Sequence, residues 1–202
     1  MLKVGLTGGI AAGKSVVGEM FVRLGSHLIQ ADQISHQLMQ PGQSVHQDVV
    51  KHFGPGILNP DQTVNRSKLA EAAFSGRIQE LNQIVHPAVI QKQNEWMAEV
   101  GAREPHAIAI VEAALILEAG FGDDFDRLIV VTCREEQRVQ RWAQRMKVDR
   151  ETARREVARR MAAQFTDEEK IKVADYVIDN SGSLDETQKQ VTEIYAQLKG
   201  QA

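Results

Sequence analysis

Gly8-Gly9-Ile10-Ala11-Ala12-Gly13-Lys14-Ser15 follows the spacing G-x-x-x-x-G-K-[ST], and with its flanks it constrains the fold more than any other part of the chain. Before it, Leu2 to Leu6 is a short apolar run broken by Thr7-Gly8-Gly9, which reads as a buried strand entering a loop. After it, Val16, Val17, Met20, Phe21 and Leu24 fall at helical spacing, and Gly25 stops the helix behind the basic Arg23. A strand, a glycine-rich turn and a helix in that order make an anion cradle. The glycines let successive N–H groups turn inward, and the helix N-terminus adds partial positive charge worth about 0.3–1 kcal/mol per anionic contact. Lys14 is then placed to neutralise β and γ phosphates, and the Ser15 hydroxyl to ligate Mg2+. Residues Gly8 through Val16 are therefore the expected ATP-binding segment.

The rest of the chain fits around that nucleus. A length of 202 residues buries one substantial core, so one domain with insertions is expected. A net charge of -3 gives no general attraction to nucleic acid or to an anionic membrane. Cys133 is the single cysteine, which excludes an internal disulfide and fits a reducing compartment. Residues 1–10 show no secretory pattern, and the apolar stretch Ala107–Val111 meets Glu112 at once, far short of a membrane span; a cytoplasmic location is expected. Further strand-like runs lie at His27–Ile29, Ala107–Leu117, Arg127–Thr132 and Tyr176–Ile178, separated by helical patterns. Five strands in such alternation predict an α/β fold with a parallel sheet. From Ile34 to about Glu104 the pattern is helical, with turn signals at Pro41-Gly42, Gly54-Pro55-Gly56 and Asn59-Pro60-Asp61. That segment reads as an inserted helical subdomain, and Leu184–Leu198 as a closing helix.

Two features outside the loop bear on chemistry. Asp32 follows the second strand, where a parallel sheet presents its carboxyl edge; a carboxylate there can accept a hydroxyl proton or help hold the metal. It can also serve the helix that follows it as a cap. Arg134, Arg138, Arg141 and Arg145 recur at spacings of four, three and four, on one helix face. Residues 134–160 carry ten Arg or Lys against five Asp or Glu, and this charge predicts a lid that closes over phosphates. A solvated helix and a nucleic-acid patch are the other readings, the second weakened by the lack of interleaved aromatic residues. A switch GTPase is disfavoured. Met146-Lys147-Val148-Asp149 lacks the first residue of the guanine-reading element, and Asp179-Asn180-Ser181-Gly182 comes too late for a γ-phosphate sensor.

Several spaced motifs together resemble the dephospho-CoA kinase family almost end to end. They are Leu6-Thr7-Gly8-Gly9-Ile10, Ala31-Asp32, His86-Pro87, Leu115-Ile116-Leu117-Glu118, Arg141-Trp142-Ala143-Gln144-Arg145, Gln164 with Glu168, Glu169 and Lys170, and Ala174 through Asn180. The resemblance implies a P-loop kinase with core segments 1–33, 105–133 and 173–202, a helical CoA-binding insertion at 34–104 and a helical lid at 134–172. It implies ATP with Mg2+ as donor, dephospho-CoA as acceptor, no nucleic-acid or membrane partner, and a monomer or weak homo-oligomer. Carried over by motif, Asp32, Lys14 and Arg141 are catalytic. Arg145 and Asn180 join the loop in binding ATP, Thr7, Asp32, His86 and Glu118 meet the acceptor, and Ser15 holds the metal with Asp32 reaching it through water. Asn180 to Gly182 would approach adenine through backbone groups, so side-chain truncation there is expected to do little. His86 before Pro87 could equally fix a turn, and Glu112, like Glu118, flanks the apolar stretch as a carboxylate open to substrate, basic groups or solvent. Gln30 stands where the family often has aspartate, and Ala114 where proline is common. A kinase of another small acceptor would share the loop, the carboxylate and the lid. It would need arginines for an acceptor phosphate, yet 34–104 supplies only Arg66, Arg77 and Arg103. A nucleotide-dependent binding module would have no evident use for Asp32.

Overall fold

The computed structural model describes residues 1–74 and 76–202. Strands β1 (Leu2–Thr7), β2 (His27–Gln30), β3 (Ile108–Glu112), β4 (Arg127–Thr132) and β5 (Tyr176–Asp179) form one parallel sheet in the order β2-β3-β1-β4-β5. The expected five-stranded α/β sheet is therefore present, with the strand that feeds the glycine loop at its centre. Leu6 pairs with Glu112 on one side and Ile129 on the other, so whatever leaves β1 emerges between the ends of β3 and β4.

Side-chain alternation explains how the sheet is covered. Ile129 and Val131 of β4 face a core shared with Val4, Leu6, Ile110 and Ile178, against which α1 (Lys14–Arg23) lays Val17, Met20 and Phe21 and α9 (Leu184–Lys199) lays Val191, Ile194 and Leu198. Each such fully buried aliphatic or aromatic side chain contributes about 1.5–3 kcal/mol. The alternate residues Leu128 and Val130 face the opposite way and pack with Ile116, Leu117, Phe121 and Phe125. This second cluster corrects the expectation of a long strand over Ala107–Leu117. β3 ends at Glu112, and the chain then coils, with the Ala119 N–H donating to Leu115 O (3.0 Å) and the Phe121 N–H to Ile116 O (2.9 Å). Ile116 and Leu117 are apolar because they cover the sheet.

Two compact units divide the chain: Met1–Ile29 with Glu99–Ala202, and Gln30–Ala98. In the first, α6 (Glu135–Met146) and α7 (Arg150–Met161) pack through Val139, Trp142, Ala153 and Val157. Lys147 stops α6 in the left-handed region (φ 54°), and Asp149 caps α7 by accepting from the Thr152 N–H at 2.9 Å. Met146-Lys147-Val148-Asp149 is thus a helix stop followed by a helix start. A short helix, α8 (Asp167–Lys172), follows, opened by a capping box between Thr166 and Glu169.

The second unit contains α2 (Ala31–Leu38), α3 (Ser44–Phe53), α4 (Arg66–Phe74) and most of α5 (Ile78–Arg103), with Val45, Val49, Leu69, Val85 and Val89 buried. Gly42 (φ 93°) and Gly54 (φ 84°) mark turns where the sequence signals them, and Asn59-Pro60-Asp61 closes the bridge between Leu58 and Val64. His86-Pro87 makes no turn. Pro87 lies inside α5, so its ring removes one helical donor without ending the helix.

Candidate phosphoryl-transfer site

The loop between β1 and α1 is shaped by what grips its carbonyl groups. Ala11 sits at φ 54°, a conformation an alanine adopts only when its surroundings hold it there. The Ala12 carbonyl accepts from Arg141 Nη1 (3.0 Å) and Asn180 Nδ2 (2.9 Å), the Ala11 carbonyl from Arg141 Nη1 (3.5 Å), and the Ile10 carbonyl from Arg138 Nη1 (3.2 Å). A trans peptide points its N–H away from its carbonyl. Holding Ala12 O on the outside of the turn therefore directs the Gly13 N–H inward. Gly13 (φ 103°) has no space for a side chain, because a Cβ would lie 2.0 Å from Asn180 Nδ2. Across the turn, Lys14 Nζ donates to Gly8 O (2.9 Å) and Gly9 O (3.2 Å), which keeps its ammonium over the loop. Ile10 packs on the α6–α7 cluster, and Val16, in the first turn of α1, is exposed.

Beside the loop, the Ser15 hydroxyl donates to Glu112 Oε1 at 2.8 Å. Glu112 is buried at the end of the strand next to β1, so a hydroxyl and a carboxylate converge where the loop becomes a helix. Two hard oxygen donors suit Mg2+, which takes one or two protein ligands and completes its octahedron with phosphate and water oxygens. Glu112 as Ser15's partner is not apparent from the sequence alone; its only signal is a carboxylate ending a fully apolar parallel strand.

Thr7 is fully buried, and its hydroxyl donates to Ala114 O at 3.3 Å. The same carbonyl accepts from Lys170 Nζ (3.1 Å), a completely buried ammonium that also pairs with Glu118 Oε1 (2.9 Å). Glu118 Oε1 accepts in addition from the Phe165 N–H (2.9 Å), while its buried Oε2 has no hydrogen-bond partner among the described residues. Glu118 and Lys170 thus tie the turns after β3 to α8.

The arginine stripe does something other than line a surface. Arg134 Nη2 donates to Ser181 O (2.9 Å), while Arg138, 1% exposed, is committed to backbone oxygens and the Asp167 carboxylate, and the half-buried Arg141 to backbone oxygens. Arg141 Nη2 also reaches Asn180 O (2.8 Å). Only Arg145 among the four lies outside this network. Its guanidinium stacks 4.8 Å from the Trp142 ring centroid, with Arg160 4.7 Å from the same centroid. Asn180 is buried and fully engaged. Its N–H donates to Thr132 O (2.9 Å), its Oδ1 accepts from Thr187 Oγ1 (3.0 Å), and its Nδ2 supports the loop. The expectation that truncation there does little does not suit a side chain bonded on both ends.

In the helical unit, Asp32 is an exposed carboxylate in the first turn of α2, with Gln30 as the helix cap. One turn later, burial pushes the His36 imidazole below its usual 6.5; Arg66 adds to the effect and Asp32 opposes it. His86, half-buried on α5, is lowered by burial as well. Facing residues of α3 and α5 enclose a groove of about 650 Å³ that includes Val45, Lys51, His52, Gln83, Ile84 and Pro87. Among the described residues no group of three or more His, Cys, Asp or Glu is arranged to hold a metal, and no helix is long and apolar enough to cross a membrane.

A parallel sheet whose central strand runs into a phosphate-binding loop, with a hydroxyl–carboxylate pair beside it and a basic helical segment gripping its outer side, defines a P-loop kinase. The family model for dephospho-CoA kinase matches residues 2–186. The chain belongs to the dephospho-CoA kinase family. It is 38% identical over 208 residues to dephospho-CoA kinase of Aquifex aeolicus, covering 98% of each chain. TT1252 from Thermus thermophilus superposes with a TM-score of 0.79 at 27% identity, over 98% of this chain and 97% of that one. Dephospho-CoA kinase from Campylobacter jejuni shares the fold, with a TM-score of 0.60 at 24% identity over 97% and 96% of the two chains.

Proposed function

We propose that this kinase transfers the γ-phosphoryl group of ATP to the ribose 3'-hydroxyl of dephospho-CoA, giving CoA and ADP, the last step of CoA biosynthesis. The observation that carries the reading is the loop itself, whose outward carbonyls are fixed by Arg138, Arg141 and Asn180 so that inward N–H groups meet phosphate oxygens. Phosphoryl transfer depends mainly on such positioning and on charge neutralisation. Lys14, held over the loop, supplies a positive charge to the β and γ phosphates, and Arg141 another at the loop's rim. Ser15 and Glu112 would hold Mg2+, which would supply neutralisation of phosphate charge.

Asp32 orients the acceptor hydroxyl and receives its proton, and it reaches the metal through water; its exposure at the start of α2 suits a group that meets a substrate. Glu118, whose buried Oε2 has no hydrogen-bond partner among the described residues, is the second carboxylate on the acceptor side. Thr7 and His86 complete the acceptor contacts, and the α3–α5 groove, where Gln83, Gln91, Val45 and Ile84 lie beside the charged Asp48 and Lys51, suits a polar chain bearing amides. Arg145 on Trp142 and the Asn180–Gly182 backbone attend the adenosine of ATP. The enzyme works in the cytoplasm on dephospho-CoA and ATP alone, as a monomer or weak homo-oligomer.

The test is ADP release from ATP and magnesium with dephospho-CoA, adenosine, AMP, gluconate or shikimate as acceptor, the product being identified by mass. Release only with dephospho-CoA, with one phosphate added, is expected. Turnover of another acceptor would overturn the substrate, and ATP binding without acceptor-dependent release would overturn the kinase.

A further inference from the structure

Arg138 is the largest fully buried side chain of the described residues, yet it contacts no surface where a substrate could meet it directly. Its Nε donates to Cys133 O (3.3 Å), its Nη1 to Ile10 O (3.2 Å) and its Nη2 to Asp167 Oδ2. Asp167 opens α8, beyond α7, so the pair joins the first helix after β4 to the element that returns the chain to β5. Both partners lie directly over Gly9. A Cβ at that position would come within 2.0 Å of Arg138 Nη1 and 3.4 Å of Asp167 Oδ1, so the space of a side chain is taken by the ion pair. Burial pushes the Asp167 carboxyl up, while Arg138, Lys170 and Lys14 draw it down and Glu168 opposes them.

One peptide plane turns this arrangement into a function. Ile10 O and the Ala11 N–H belong to the same planar unit, so the donor that fixes the carbonyl fixes the direction of the N–H. Ala11 follows in the left-handed region, where an L-residue remains only if its neighbours hold it. We infer that Arg138 and Asp167 are a positioning pair: by holding the Ile10–Ala11 peptide they aim the Ala11 N–H at a bound phosphate, and they link that aim to the docking of α8. The inference rests on the reading of the loop as the ATP site. A forked guanidinium is needed because three acceptors lie around it in different directions, which an ammonium on a flexible stem cannot serve together.

The variant Arg138→Met/Asp167→Leu removes one charge of each sign, so net charge at the loop is unchanged and any effect on ATP is one of geometry. Replacing a buried ion pair by apolar groups of similar size generally preserves folding. Calorimetric titration with magnesium ATP, and separately with dephospho-CoA, gives the readout. A wild-type protein that binds no ATP would overturn the reading of the loop rather than the pair. With wild-type binding in hand, the double variant is expected to bind ATP at least about tenfold more weakly while its affinity for dephospho-CoA changes less than about twofold. An ATP affinity within twofold of wild type, or equal losses for both ligands, overturns the positioning role. Should the double variant not fold, Arg138→Lys keeps the charge without the fork and is expected to weaken ATP about fivefold, with unchanged affinity again overturning the proposal.

Discussion

The Ser15 hydroxyl donates to Glu112 Oε1 at 2.8 Å, so the first turn of α1 and the last residue of β3 share one hydrogen bond beside the phosphate-binding loop. Glu112→Gln keeps an acceptor for Ser15 and removes the charge. If the pair serves magnesium, the concentration required for half-maximal rate rises about 10- to 100-fold, with the melting temperature little changed. Magnesium titration of the initial rate measures this, and an unchanged requirement would remove Glu112 from the metal site.

Asn180 donates to Ala12 O and accepts from Thr187 Oγ1 in a buried setting. Asn180→Ala strands both partners, which costs about 1–3 kcal/mol for buried groups left unsatisfied. It also frees the carbonyl that directs the Gly13 N–H. Urea unfolding is expected to show the stability loss, and ATP titration a weaker affinity beside it. Wild-type behaviour in both would show that Arg141 holds Ala12 O unaided.

What could be read in the sequence was what is local. The loop, its strand and its helix are adjacent in the chain, and each carries its own periodicity or glycine signal, so residues 2–24 need no tertiary information. The turns at Gly42 and Gly54 were legible for the same reason. Spacing put Arg134, Arg138, Arg141 and Arg145 on one helix face, whereas Arg134 caps α6 in extended conformation and Arg145 stacks on Trp142. A guanidinium donates equally well to a phosphate or to the carbonyls of Ile10 and Ala12, and only the folded chain distinguishes them. Leu115–Leu117 suggested more strand because burial beneath a sheet and burial within it demand the same apolar residues. A turn at His86-Pro87 was one of two open readings, whereas α5, at 26 residues, continues through the proline. Asp167 gave no signal, and Lys170 gave one only as part of the family motif, since a charged helix reads as solvated until its burial is seen.

His86 sets a pH dependence whose sign follows from its burial. Its imidazole is held below 6.5 in the folded protein, so in the window between the folded value and 6.5 the unfolded chain carries more proton. Stability therefore rises with pH across that window and is lost as pH falls below 6.5. Lowering pH from about 7.5 to about 5.5 is expected to reduce the melting temperature of wild type more than that of His86→Gln. Parallel slopes for the two proteins would show that His86 titrates equally in both states. His36 is lowered for the same primary reason and predicts the same sign for His36→Gln.

Asp32 separates binding from chemistry. It lies in the first turn of α2, two residues beyond the end of β2, and the proposed function assigns it to the acceptor hydroxyl rather than to the loop. Asp32→Asn keeps the side chain's size and its place in the helix while removing the proton acceptor. ATP affinity is expected to remain within about twofold, whereas kcat falls by about 10²- to 10⁴-fold, the usual range for losing a positioned acid–base group. Single-turnover phosphoryl transfer to dephospho-CoA measures the chemical step apart from product release. A near-normal rate in that experiment would leave positioning and charge neutralisation by the loop, Lys14 and Arg141 as the whole of the catalysis and would reduce Asp32 to a helix-terminal carboxylate.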